Sequence, residues 1–81
     1  MQAFILINTD PGKLWRVADE ALKIQGVKMA HAVTGHYDVI VYVEFYRMEE
    51  LGNIINKIQS IEGVLRTHTA IAMAYRLSDY T

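Results

Sequence analysis

Cysteine is absent from the 81-residue chain, which excludes disulfide frameworks, thiolate metal sites and thiol nucleophiles. An excess of one charge is absent too. Eight Lys and Arg stand against nine Asp and Glu, a formal net charge of −1. Such a chain has no overall electrostatic footprint for nucleic acid or an anionic membrane. No apolar run reaches the roughly 18 to 20 residues of a membrane span. Met1-Gln2-Ala3-Phe4 lacks the basic region and small-residue cleavage pattern of a signal peptide. There is no phosphate loop, no His-Glu-x-x-His and no Gly-x-Ser-x-Gly. The length leaves room for one domain, 1–81, and no second. What is abundant is apolar side chain, 52% of the residues, too much for intrinsic disorder. The chain reads as a soluble cytoplasmic domain.

The apolar residues fall into two kinds of pattern. Gln2 to Asn8 is a short apolar run that suits a buried strand, β1. Asp38 to Tyr46 alternates as a second strand, β3. Val39, Val41, Val43 and Phe45 share one face, and Ile40 and Tyr42 the other. Helical spacing marks two segments. Pro11 to Gln25 (α1) carries the stripe Leu14, Val17, Ala18, Ala21 and Leu22, with Thr9 or Asp10 placed to N-cap it and Gly26 to end it. Met48 to Ser60 (α2) carries Leu51, Ile54, Ile55 and Ile58, with Glu49 and Glu50 at its positive end. Two helices cover one face of a small sheet. Strands apolar on both faces need a second cover, and another copy of the chain is the simplest one.

The chain also repeats itself. Ile24-Gln25-Gly26-Val27 returns as Ile61-Glu62-Gly63-Val64, a shift of 37 residues, and His31 maps onto His68. Each half reads strand, helix, Ile-x-Gly-Val, strand. With β2 at 27–33 and β4 at 64–76, the expected fold class is α+β: a ferredoxin-like βαββαβ unit with one antiparallel sheet, dimerising into an α+β sandwich or barrel. Right-handed crossovers then put β1 and β3 in the centre and β2 and β4 at the edges.

Three places can carry chemistry. Thr34-Gly35-His36-Tyr37-Asp38 joins β2 to β3. It is either a plain hairpin turn or a site whose N–H groups bind a carboxylate while Asp38 pairs with an ammonium. Those are the two charged ends of a free amino acid. Tyr37 either walls such a pocket or packs in an interface, and His36 can tune binding near pH 6 to 7. On β4, Thr67 and Thr69 put hydroxyls on the stripe of Leu65, Ile71, Met73 and Tyr75; they bind a ligand or only serve strand propensity. His31 and His68 fall on opposite edge strands, about 14 Å apart at about 4.8 Å per strand. One subunit cannot bring both to a zinc ion at about 2.0–2.1 Å. No metal or cofactor is expected. Trp15 and Arg16 on α1 suit a subunit contact or a partly buried edge.

Together, Val33-Thr34-Gly35-His36-Tyr37-Asp38-Val39-Ile40, Leu51 to Ile58 and Ile61-x-Gly63-Val64-x-x-Thr67-x-Thr69 resemble the effector-binding (RAM, regulation of amino-acid metabolism) domain of the Lrp/AsnC regulators. The resemblance spans β1 to β4. It implies sheet-to-sheet dimers, rings commonly of four dimers, and amino-acid effectors bound between dimers. It implies ligand contacts at Gly35, Tyr37 and Asp38, and less directly at Thr67 and Thr69. His36 takes the variable position of the turn. The chain departs from the regulators in one respect: Met1 leads straight into β1 with no helix-turn-helix before it. The expected function is a non-enzymatic module, stand-alone rather than excised. It binds an amino-acid effector and assembles with itself or with full-length Lrp/AsnC regulators, without touching nucleic acid. The competing readings are a small dimeric barrel enzyme of the monooxygenase kind and a purely structural assembly partner.

Overall fold

A computed structural model describes residues 1–73. The elements run β1 (Gln2–Thr9), α1 (Leu14–Leu22), β2 (Val27–Ala32), β3 (Val39–Glu44), α2 (Met48–Gln59) and β4 (Val64–Ile71). All four strands form one antiparallel sheet in the order β2-β3-β1-β4. This is the expected ferredoxin-like arrangement, with the two most apolar strands in the centre.

Residues paired across an antiparallel ladder share a face, so the register sorts the side chains. Ala3, Ile5 and Ile7 lie beside Val43, Val41 and Val39 on the helix side. They meet Val17, Ala18 and Ala21 of α1 and Leu51, Ile54 and Ile58 of α2, and this cluster is the core. The opposite face carries two complete rows. Met29, Tyr42, Phe4 and Ala70 form one, and His31, Ile40, Leu6 and His68 the other. Phe4 and Met29 are 42% and 44% exposed. No element among the described residues covers this face.

Several boundaries differ from the sequence reading. α1 begins at Leu14 behind an N-cap at Lys13 with no side-chain cap, so neither Thr9 nor Asp10 caps it. Thr9 is still in the sheet and buried, and Gly12 has φ +80°, which no right-handed helix contains. α1 also stops three residues early, and Leu22 is 48% exposed rather than in the core. β3 ends at Glu44, and Phe45 carries the pairing one step further, its N–H on the Met1 carbonyl at 2.9 Å and its carbonyl accepting from the Met1 ammonium at 2.7 Å. β4 ends at Ile71, short of the expected 76, with Ala72 and Met73 already outside the strand; Tyr75 lies outside the described residues.

The repeated Ile-x-Gly-Val has a structural reason. Both copies form the same turn, with Val27 N–H on Ile24 O at 3.1 Å and Val64 N–H on Ile61 O at 3.2 Å. The glycine at the third position takes φ +99° at Gly26 and +104° at Gly63, the left-handed geometry of a type II turn. Each glycine also sits hard against a neighbouring element. A Cβ on Gly26 would lie 2.8 Å from Ile54 Cδ1, and one on Gly63 would lie 2.8 Å from Lys13 Cβ.

Gly63→Ala should therefore cost more than the left-handed penalty of about 1–2 kcal/mol, because the stem of Lys13 must also move. Gly12→Ala, which has the same sign of φ and open space around it, carries the conformational penalty alone. Urea unfolding midpoints of the two variants should rank in that order; equal midpoints would show that the close approach is not tight.

Candidate functional site

The turn from Thr34 to Asp38 stands at the end of the sheet where β1 finishes and β4 begins. Val33 N–H bonds Asp38 O at 2.9 Å and closes the hairpin. Gly35 has φ +109° at the tip, and a Cβ there would meet nothing. Glycine is needed at this position for its backbone, not for space.

The turn is strapped to β1 from three points. Asp38 N–H donates to Ile7 O at 2.9 Å. Asn8 Nδ2 donates to the His36 carbonyl at 2.8 Å. Thr9 N–H donates to Asp38 Oδ2 at 2.7 Å. Asp38 thus has a structural duty the sequence reading did not assign to it: it accepts a strand-end N–H that would otherwise be unpaired. Its other oxygen has no protein donor among the described residues, and neither the Thr34, Gly35, His36 nor Tyr37 N–H has a protein acceptor there. A half-buried carboxylate with a free oxygen and consecutive free N–H groups can receive a cation and an anion side by side.

Tyr37 reaches across the uncovered face. Its ring meets His68 edge-on with centroids 5.7 Å apart, so the turn touches β4 through an aromatic pair. Asn8 and His68 are contributions that sequence reasoning missed. Asn8 is 28 residues from the carbonyl it bonds, and only the strand register brings His68 beneath Tyr37. His31 lies at the far edge of the same row as His68, so the two histidines stand on opposite edge strands as the topology required.

The six expected ligand residues fall into two groups. Gly35, His36, Tyr37 and Asp38 are together in the turn. Thr67 and Thr69 pair with Ile7 and Ile5, which places them on the helix side of β4, away from the Tyr37–His68 contact. The Thr67 hydroxyl accepts from Gln59 Nε2 of α2 at 3.0 Å, and Thr69 is exposed. Trp15, 70% exposed, lies on α1 beside the start of the turn. Electrostatics on the uncovered face are mild. Desolvation, then the charge of Glu44 and the hydrogen bond to it at 3.3 Å, raises the Tyr42 hydroxyl above the ordinary phenol value.

Because Asp38 holds Thr9, Asp38→Ala should lower stability by about 1–3 kcal/mol, the cost of leaving a shielded N–H unpaired. Asp38→Asn keeps an acceptor oxygen and should recover most of it. Thermal unfolding without any ligand measures this; unchanged melting of Asp38→Ala would show that the strap carries no energy.

Comparison with other proteins bears on this geometry. A family model described as the Lrp/AsnC ligand binding domain matches residues 2–80. The HTH-type transcriptional regulator FL11 of Pyrococcus furiosus is 39% identical over 71 residues, covering 88% of this chain and 47% of FL11. The chain thus spans about half the length of that relative. The crystal structure of the hypothetical protein PHS023 from Pyrococcus horikoshii superposes with a TM-score of 0.83 at 37% identity, covering 91% of this chain and 90% of that one. The NMB0573 regulator of Neisseria meningitidis, solved as a complex with L-Met, has a TM-score of 0.77 at 22% identity over 90% of this chain and 49% of its own, a likeness of fold. A family match over nearly every residue, on a βαββαβ sheet with its Gly-x-Tyr-Asp turn in place, settles the membership: this chain belongs to the Lrp/AsnC ligand-binding-domain family.

Proposed function

We propose that the chain is a non-enzymatic effector module that binds a free amino acid at the Thr34–Asp38 turn and acts through assembly. The observation that carries this reading is the pairing of free turn N–H groups with the Asp38 carboxylate, one oxygen of which is unengaged. The α-carboxylate of a ligand would lie against the N–H groups and its ammonium against Asp38. Family membership supports the ligand class, as does the L-Met held by a protein of the same fold.

An enzyme of the small barrel kind needs a polar group in a cavity between helices and sheet. The core here is aliphatic and aromatic, with Thr9 its one buried polar residue among those described. His31 and His68 lie on the face away from the helices. These features favour binding over catalysis.

The uncovered face is the natural seat of a second copy. Its two rows are apolar from β2 to β4 apart from the edge histidines, and a two-fold axis makes such a face its own complement. A dimer formed this way leaves the turn at the sheet end free for a neighbouring dimer or for a full-length regulator. Ligand bound at that contact biases assembly only through its different affinity for the separate and joined states.

Calorimetry against the twenty amino acids, with light scattering in the presence and absence of each, tests the reading. A ligand at 100 times its Kd should add about 2.7 kcal/mol of stability. No heat with any amino acid and an unchanged mass would leave the purely structural partner as the better account. For the dimer, Leu6→Lys in the middle of the uncovered face should give a folded monomer by light scattering, because the new ammonium would be buried without a partner. A variant that keeps the mass of a dimer would place the interface elsewhere.

A further inference from the structure

At the end of the sheet opposite the turn lies a groove of about 640 Å³. Neither the effector reading nor the bare sheet face makes use of it. Its volume falls among those of small-molecule sites. The floor is apolar and fixed. Phe45 and Ile54 are buried there, and Gly26 lies so close to α2 that a Cβ on it would stand 2.8 Å from Ile54 Cδ1.

The walls are polar and come from separate elements. Glu50, Asn53 and Lys57 occupy one face of α2, at the spacing of successive helical turns. Lys28 comes from the edge strand β2. Val27 pairs with Val43 and Met29 with Tyr42, so Lys28 is the extra residue of a bulge. Bulges at sheet edges re-aim a side chain, and this one turns Lys28 to the groove.

The charges here are unevenly matched. The Tyr42 hydroxyl donates to Glu44 Oε2 at 3.3 Å. Tyr46 N–H donates to Glu50 Oε2 at 3.5 Å. Both carboxylates of the groove thus have a donor. The ion pairs among the described residues are Arg16–Glu62, Lys23–Glu20 and Arg47–Glu49. Lys28 and Lys57 have no carboxylate partner among them.

We propose that this groove is a ligand site separate from the turn, for a small organic dianion such as a phosphate monoester or a dicarboxylate. Lys28 and Lys57 hold its charges, and the floor of Phe45 and Ile54 takes its carbon body. Two unpaired ammonium groups on different elements call for two negative charges, and a monoanion leaves one unmatched. The chain's net charge of −1 does not oppose this, because salt confines each field to about 8 Å at physiological ionic strength. The inference stands without the effector reading.

The isotope-labelled intact protein is titrated near pH 8, where a phosphate monoester carries close to two charges. Glycerol 3-phosphate, succinate, acetate and glycerol are the probes, and calorimetry and backbone amide shifts the readouts. At least one dianion should bind about fivefold or more tighter than acetate, and the tighter of the two identifies the head group. Glycerol should give no heat. Amide shifts should move at Gly26, Lys28, Asn53 and Lys57, and not from Thr34 to Asp38. Lys28→Gln and Lys57→Gln, at exposed positions, should each weaken dianion binding about fivefold with the rest of the spectrum unchanged. Absence of heat with both dianions would overturn the inference, as would acetate binding equally well or an affinity that survives both substitutions. Shifts confined to residues 34–38 would overturn it too, since the anion would then lie on the free N–H groups of the turn.

Discussion

The sheet has two apolar faces and the chain supplies helices for one. β1 and β3 sit in the centre because their alternating residues are apolar on both sides. Val39, Val41 and Val43 join Ala3, Ile5 and Ile7 beneath α1 and α2. Phe4, Leu6, Ile40 and Tyr42 are left on the reverse, where Phe4 and Tyr42 pack ring against ring at 5.3 Å. Among the described residues no element folds back over them, because both crossovers use the same side. The bare face is therefore a property of the topology, not of any one residue. The proposed function rests on it: in that reading a second copy would occupy the reverse face, and the sheet end would be left to receive ligand.

The turn is held by the same sheet. Asp38, His36 and the backbone at 38 are all bonded to residues 7–9 of β1, and Tyr37 leans on His68 of β4. One segment thus reads the ends of three strands. A loop fixed this way presents its free N–H groups in a defined arrangement, which lowers the ordering cost of binding. In the proposed reading Asp38 serves fold and site with different oxygens, so that its removal would disturb both.

Element order, central strands and the uncovered face were legible before any coordinates, because hydrophobic periodicity records which side of a strand meets the core. Helix limits were less so. The pattern from Pro11 to Gln25 reads as one helix, yet Gly12 at φ +80° delays its start, and the shared Ile-x-Gly-Val turn takes the residues after Leu22. The repeat itself was visible as letters. Its cause, a left-handed glycine pressed against Lys13 or Ile54, was not, because close approach between elements has no local signature.

The sequence by itself determined the family, the fold, the turn that carries the candidate site and the bare sheet face. These depend on residue spacing within a segment, or on matches that read segments one after another. Only the tertiary structure decided that Asn8 and Thr9 hold the turn, that His68 lies under Tyr37, and that Thr67 and Thr69 look toward α2 instead of joining them. Each is a contact between residues far apart in the chain. It exists because strand register places them in one row or on opposite faces, and register is fixed by the packing of the whole sheet.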